Sequence, residues 1–164
     1  MLPDYSALFH REKVRPLHFR VRGGSNFVHD IQFLSSYLHD GRFSVESAII
    51  RGKTMRITIE RDCWELGKVE RPEASELYVA KARLTIGPIS TVHWETNDPA
   101  CLGRKLWIES IYAGAAHWET PGITELVISA PRGGWKIRVS IADDLGEIRL
   151  DDLETPHLYS QAET

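Results

Sequence analysis

From Gly41 onward, apolar residues recur at every second position. Residues 135–142 show this most clearly, because apolar side chains alternate there with polar or small ones. Residues 54–60 and 78–86 follow the same rule. A period of two is typical of β-strands that bury one face. The greater part of the chain is therefore predicted to be a series of half-buried strands.

One segment, residues 26–39, has the period of an amphipathic helix instead. Ser25 or Asn26 is predicted to cap its start with a side-chain oxygen, and Gly41 to end it in the left-handed conformation. Its predicted buried stripe consists of Phe27, Ile31, Leu34 and Leu38.

The strands are predicted to number about seven or eight. They are residues 16–22, 43–51, 54–60, 78–86, 106–112, 126–130, 135–141 and 148–150. Turns are expected at Gly52-Lys53, at residues 132–134 and at residues 143–144, and residues 65–75 are expected to form a surface loop. This arrangement predicts a mainly β (α+β) fold: an antiparallel two-sheet sandwich or a strongly bent sheet, covered by the one helix.

The amino-acid composition limits the classes of protein to which this chain can belong. The chain has 164 residues, of which 42% are hydrophobic and 26% charged, with a net charge of −3. These values predict a single soluble domain over residues 1–164, with loosely held ends at about 1–14 and 152–164. They argue against collagen, coiled-coil, disordered and disulfide-scaffold proteins, and the near-neutral charge argues against a dedicated nucleic-acid binder.

The two ends of the chain carry opposite charge. Residues 1–22 contain five Lys or Arg and two acidic residues, whereas residues 143–164 contain one Arg and seven acidic residues. Two interpretations stay open at this point. The ends are either two solvated surface segments, or they pair within one chain or between two chains.

Two features bear on the compartment. Cys63 and Cys101 lie far apart without metal-ligand spacing, which is typical of reduced thiols in the cytoplasm; whether the two ever pair stays open. Residues 1–16 lack the apolar region of a signal peptide, and no apolar run is long enough to cross a membrane. We expect a cytoplasmic protein.

A tetrapeptide occurs twice, as His93-Trp94-Glu95-Thr96 and as His117-Trp118-Glu119-Thr120. In an extended backbone the His and the Glu of each copy share one face. If the copies lie close together, His93, Glu95, His117 and Glu119 could bind zinc or a related divalent ion, or perform acid–base chemistry. The alternative is a chance repetition in a tryptophan-rich β protein.

The indoles of the same repeat are candidates for contact with a ligand or partner. Trp94 and Trp118 have polar neighbours, and exposed indoles stack on sugars or anchor protein interfaces. Trp135, in contrast, falls on the apolar face of its strand and is predicted to lie in the core.

The segment Leu38-His39-Asp40-Gly41, at the end of the helix and before the strands, is similar to a feature of several small uncharacterised bacterial domain families. This resemblance covers about residues 27–60. It implies no activity.

The sequence contains none of the motifs GxGxxG, P-loop, GxSxG or HExxH, so no cofactor is predicted. The first hypothesis is a non-catalytic binding or interaction module whose partner is another protein or a second copy of the chain, as in a homodimer, and neither nucleic acid nor membrane. One alternative is a metal-dependent, hydrolase-like enzyme that uses the His/Glu cluster and a divalent metal. Another is a carbohydrate-binding module that uses Trp94 or Trp118.

Overall fold

The computed structural model describes residues 14–24, 26–70, 75–96, 104–120, 123–131, 134–142 and 146–159. In chain order, these residues form β1 (His18–Arg22), α1 (Phe27–Leu38), β2 (Arg42–Phe43), β3 (Ala48–Arg51), β4 (Thr54–Asp62), β5 (Lys68–Glu70), β6 (Ser75–Gly87), β7 (Ile89–Thr96), β8 (Leu106–Trp107), β9 (Ser110–Ala113), α2 (Ala115–Glu119), β10 (Ile123–Ser129), β11 (Trp135–Ala142), β12 (Glu147–Asp152) and β13 (His157–Leu158).

The strands form two antiparallel sheets, which confirms the predicted mainly β fold. Nine described strands make the large sheet, in the order β1-β12-β6-β4-β2-β8, with β3 also paired to β4 and with β5 and β13 paired to β6. The small sheet has the order β7-β11-β10-β9. The thirteen described strands exceed the predicted seven or eight because the list of predicted strands did not include β7 and because four strands of only two or three residues, β2, β5, β8 and β13, add to the longer ones.

Both sheets and α1 contribute to one hydrophobic core. Trp135 is buried within it, as predicted. The helix buries the stripe predicted from its period. It also lies against β9, where the backbone N–H of Ile111 donates a 2.9 Å hydrogen bond to Ser35 Oγ. One edge of the small sheet is thus covered by α1.

The two ends of α1 differ in detail from the prediction. Asn26 is the N-cap residue, but its side chain makes no capping hydrogen bond, and Ser25 lies outside the described residues. At the other end, Asp40 has the left-handed conformation, with φ of 63°.

Gly41 is needed there for a different reason from the predicted one. A Cβ at this position would lie 2.9 Å from the carbonyl oxygen of Leu38 and 3.0 Å from Ile59 Cγ2. The glycine therefore permits close packing of the backbone rather than a left-handed turn.

Two predicted strands prove to be broken. Residues 43–51 contain a 3-10 turn, Val45–Ser47, in which Ser47 Oγ donates a 2.7 Å hydrogen bond to the carbonyl of Ser44. Residues 106–112 divide into β8 in the large sheet and β9 in the small one. The division occurs at Ile108, whose N–H donates to the carbonyl of Gly41 instead of a neighbouring strand.

The predicted loop over residues 65–75 is more regular than expected. A 3-10 turn, Trp64–Leu66, leads into β5, which pairs with β6. Residues 71–74 lie outside the described part of the chain, as do the predicted turn residues 132–133 and 143–144. The predicted hairpin turn at Gly52-Lys53 is confirmed, because Arg51 pairs with Thr54 across it.

The oppositely charged ends pair within the chain through β1 and β12. Arg20 and Glu147 form an ion pair at 3.0 Å, and His18 and Asp151 lie 2.8 Å apart. Both contacts are partly exposed, so each contributes little to stability. Of the open interpretations, pairing within one chain is the one that the structure shows.

The region from residue 152 to residue 159 was expected to be loosely held, but the described residues there are packed against the large sheet. Asp152 is buried, and both of its carboxylate oxygens accept hydrogen bonds from the buried side chain of Arg61. Further along, β13 pairs with β6. The fold uses this segment to complete one end of its core.

None of the helices in the described ranges is long and apolar enough to cross a membrane.

Candidate functional site

The first copy of the tetrapeptide lies in β7, an edge strand of the small sheet. Trp94 packs against the core, whereas Glu95 lies on the outer face. There Glu95 accepts a 2.8 Å hydrogen bond from Nε of Arg138. This hydrogen bond is the main reason why the pKa of Glu95 is lowered. The carboxylate is therefore already occupied by a guanidinium.

The second copy is helical, which contradicts the extended conformation expected for it. His117, Trp118 and Glu119 belong to α2, where the N–H of Thr120 donates to the carbonyl of Ala116. Residues two apart on a helix are rotated by about 200° around its axis. His117 and Glu119 consequently do not share a face.

His117 is packed rather than aimed at solvent. Its ring lies 5.0 Å from that of Phe27 and 5.0 Å from that of Trp118, measured between centroids. Its Nδ1 atom is buried and has no hydrogen-bond partner among the described residues.

The two copies are not brought together. β7 and β9 are opposite edges of the small sheet, about 14 Å apart, and α2 lies in the connection from β9 to β10. Within the described ranges, no group of three or more His, Cys, Asp or Glu side chains is arranged to hold a metal ion. The four residues His93, Glu95, His117 and Glu119 thus share no site in this structure, and the metal hypothesis gains no support from it.

The two candidate contact residues also differ. Trp94 is half-buried beneath the small sheet, so little of its indole is open to a ligand. Trp118 is 67% exposed and presents its indole to solvent. Among the candidates derived from the repeat, Trp118 is the residue that remains available for stacking.

The outer face of the large sheet carries a groove that the sequence did not single out. We call it the arginine groove. It has a volume of about 380 Å³, within the range of small-ligand sites. It is lined by Ser47, Ile49, Arg51, Thr54, Arg56, Thr58 and Arg83.

The arginines of this groove come from three strands. Arg51 lies on β3, Arg56 on β4 and Arg83 on β6, and all three are exposed. The strand register offsets Arg51 from Arg56, and Arg56 from Arg83, by two residues on adjacent strands. Such diagonal neighbours have Cα atoms about 7–8 Å apart. The three therefore form a diagonal line across the sheet.

Within the described part of the chain, Asp151 lies directly opposite Arg83 on β12, where its carboxylate contacts His18. Arg51, Arg56 and Arg83 form no ion pair there, and the groove lining contains no acidic residue. On the same face, Arg20 and Arg149 share Glu147 at 3.0 Å and 3.5 Å. Among the described residues, Arg51 and Arg56 therefore have no acidic cross-strand partner, whereas Arg83 has Asp151.

Sequence reasoning missed the arginine groove because its residues are separated in the chain. Each arginine occupied an ordinary polar position of a predicted strand. Only the pairing of β4 with β6, between residues more than twenty positions apart, brings Arg56 and Arg83 together. The one local signal was the alternation itself, which places Arg51 and Ile49 on one face of β3.

No protein-family model matches the chain. Neither a similar curated protein nor a similar solved structure was found.

Proposed function

We propose that this β-rich protein is a non-catalytic binding module that recognises an anionic group of its partner in the arginine groove. One observation carries the proposal: Arg51, Arg56 and Arg83 line one groove whose lining contains no acidic residue, and they form no ion pair among the described residues. A cluster of like charges is unfavourable in the free protein. A bound anion would remove that cost.

The lining suits an anion with several oxygen atoms. Guanidinium groups bind carboxylate and phosphate through paired hydrogen bonds, and such charge-assisted bonds are about twice as strong as neutral ones. Ser47, Thr54 and Thr58 add hydroxyl groups at the same place. Because the chain as a whole has a net charge of −3, this local excess of positive charge is set apart from the average surface.

The same lining favours binding over chemistry. The residues around the arginine groove include no His, Cys, Asp or Glu, so the lining supplies no general base to activate the hydroxyl groups of Ser47, Thr54 and Thr58. We therefore place no catalytic residue there.

Calorimetric titration with sodium tripolyphosphate, at low and at moderate salt, tests the proposal. The expected result is saturable binding that weakens as salt is added. The double variant Arg56→Gln/Arg83→Gln should lose at least ten-fold in affinity. Arg20→Gln/Arg149→Gln is the matched control, because it also removes two positive charges from the same sheet face but outside the arginine groove. Equal losses in both variants, or no binding by the native protein, would overturn the proposal.

Carbohydrate binding is a second candidate, favoured by the 67% exposure of Trp118. An exposed indole face stacks well on the apolar face of a sugar ring. Titration with a panel of oligosaccharides should then quench or shift tryptophan fluorescence in the native protein but not in Trp118→Ala. Trp107→Ala removes another exposed indole and serves as the control. Identical responses in both variants would count against this candidate.

The expected setting of the binding module is the cytoplasm, and self-association remains one form that binding could take. Cys63 supports a reducing compartment, because it is a free, buried thiol rather than half of a disulfide. Cys101 lies outside the described residues. Sedimentation velocity over a hundred-fold concentration range would test self-association directly.

A further inference from the structure

β3 is a short strand with one paired and one open side. It pairs with β4 along Ala48–Arg51, and no other described strand pairs with it. Ile49 and Ile50 are 48% and 47% exposed. Since successive side chains of a strand point to opposite faces, an apolar side chain is exposed on each face of β3.

The protection of this edge is slight. Native edge strands are normally protected by being short, by charged side chains, by Pro, by a bulge or by a covering segment, because their free N–H and C=O groups accept a further strand. β3 is protected by its length of four residues and by one charge. β3 contains neither Lys nor Pro and carries two exposed isoleucines. Its one charged residue, Arg51, belongs to the arginine groove.

We infer that β3 accepts an added strand from another protein, and that the added segment alternates acidic and apolar residues. This inference rests on the proposed function, because the arginine groove supplies the charge that selects the segment. Main-chain hydrogen bonds along β3 would provide affinity, and the alternate side chains would provide specificity.

The register of the sheet determines which residues of the added strand lie opposite which side chains of β3. On the groove face, an added residue opposite Arg51 has its Cβ about 4.5–5.5 Å from that of the arginine, within reach of an ion pair. An acidic residue opposite Ile49 would extend over it toward Arg56, which is the partner of Ile49 on β4. On the other face, an apolar residue would cover Ile50. Arg83 lies one strand further inward and should contribute less.

Charge complementarity selects against a second copy of this chain. Pairing of β3 with β3 of another copy, with both groove faces on the same side of the joined sheet, would place Arg51 of each copy and the two arginine grooves side by side. Like charges at that distance repel. An acidic segment has the opposite effect.

The lining also disfavours a nucleic acid. Single strands are bound by stacking of bases on aromatic side chains within a basic groove. The residues around the arginine groove include no aromatic side chain. The exposed isoleucines of β3 would moreover have no role with a polyphosphate backbone.

The test uses a capped nonapeptide, Ser-Glu-Val-Glu-Val-Glu-Val-Glu-Ser, titrated against the whole protein by fluorescence anisotropy. Its matched partner has the same composition with its glutamates contiguous. Two further versions carry N-methyl groups on alternate residues, one version for each edge of the peptide strand. N-methylation removes the N–H that pairs with β3 but leaves the charge of every side chain unchanged.

We expect the alternating peptide to bind at least ten-fold more tightly than the contiguous one. One N-methylated version should lose at least ten-fold in affinity and the other should keep it, because only one edge of the peptide faces β3. Arg51→Gln should weaken binding more than Arg83→Gln. Arg149→Gln, outside the groove, is the control for lost charge.

The outcomes separate this inference from the proposed function. If both N-methylated versions bind like the parent peptide, or if oligothymidylate binds as tightly, added-strand binding is wrong. The same holds if the peptides do not bind while tripolyphosphate does, and anion binding in the arginine groove then stands. If tripolyphosphate does not bind, the proposed function itself is wrong, whatever the peptides do.

Discussion

Arg61 and Asp152 form a paired ion bridge inside the core: Nε lies 2.7 Å from Oδ1 and Nη2 lies 2.8 Å from Oδ2, and neither side chain is exposed. The guanidinium also donates to Glu65, and the N–H of Leu17 donates to Asp152. Burial by itself would lower the pKa of Arg61, but the hydrogen bonds to Asp152 and Glu65 outweigh it and raise that pKa. Arg61 thus stays charged at every accessible pH.

Removal of one partner of this ion pair should destabilise the protein far more than replacement of both partners by apolar residues. Arg61→Met leaves Asp152 charged and unpaired in the core, and we expect a loss of about 3–5 kcal/mol in the free energy of unfolding. The double variant Arg61→Met/Asp152→Leu removes both charges and should recover a large part of that loss. Urea denaturation of the three proteins measures the effect. A double variant as unstable as Arg61→Met would show that the pair stabilises the fold beyond its own charges.

The buried thiol of Cys63 should make the free energy of unfolding decrease at alkaline pH. Burial raises its pKa to about 12, whereas an unfolded thiol has a pKa near about 8.5. The folded protein therefore keeps a proton that the unfolded chain releases. This contribution to stability is complete below about pH 8.5 and declines as the pH rises toward 12.

Measurement of the free energy of unfolding between pH 8 and pH 11 checks this prediction. Cys63→Ala should be less stable at pH 8 but should show a smaller decline with rising pH than the native protein. The other ionisable groups are common to both proteins, so the difference in slope isolates Cys63. Equal slopes would mean that the thiol is more accessible than its complete burial indicates.

Two adjacent residues at the end of α1 should respond in opposite directions to substitution. Asp40→Gly relieves a left-handed conformation and should stabilise the protein by about 0.5–1 kcal/mol, the strain relieved minus the backbone entropy of glycine. Gly41→Ala forces a methyl group against Leu38 and Ile59 and should destabilise it by about 1–3 kcal/mol.

Thermal unfolding followed by circular dichroism shows whether each substitution raises or lowers the stability of the protein. Gly134→Ala is the control, because the nearest atom to its added Cβ would be 3.8 Å away and its φ is not positive. That variant should change stability little. Destabilisation by Asp40→Gly would show that the Asp40 side chain, 3.7 Å from His39, matters more than its backbone conformation.

The metal hypothesis for the repeated tetrapeptide has a direct test in elemental analysis of protein purified without chelator. His93 and His117 lie on elements too far apart to share an ion, since zinc–nitrogen bonds measure only about 2.0–2.1 Å. We therefore expect His93→Ala and His117→Ala to leave the metal content unchanged. His117→Ala should nevertheless lower Tm, because its ring packs against Phe27. Loss of bound metal in both variants would restore the His/Glu site.

The sequence predicted those parts of the fold that are specified by local pattern. The alternation in residues 135–142 became β11, and the helical stripe that begins at Phe27 became α1. Local pattern could not predict the ends of α1, because the roles of Asp40 and Gly41 depend on contacts with distant residues. Gly41 is fixed by Ile59, on a strand that the helix does not adjoin in sequence.

The site was less predictable than the fold for a related reason. The second copy of the tetrapeptide lies in a helix of only five residues, which is too short to show a helical period of apolar residues in the sequence. The arginine groove depends on the register of β3, β4 and β6, and no single strand carries its signature. The repeated tetrapeptide made His117 a candidate, whereas the arginine groove is formed by three arginines that belong to no motif.

The pairing of β1 with β12 sets a limit on the order of events during synthesis. His18 is paired with Asp151 and Arg22 with Glu147, so β1, the first of the described strands, has no sheet partner until β12 has left the ribosome. Until then β1 has only α1 to pack against, through Phe19 with Phe33 and Tyr37. Folding dominated by such distant pairings is slow. The nascent chain therefore carries the backbone N–H and C=O groups of β1 without their sheet partners until β12 has been synthesised, and truncation before β12 would leave β1 without its place in the sheet.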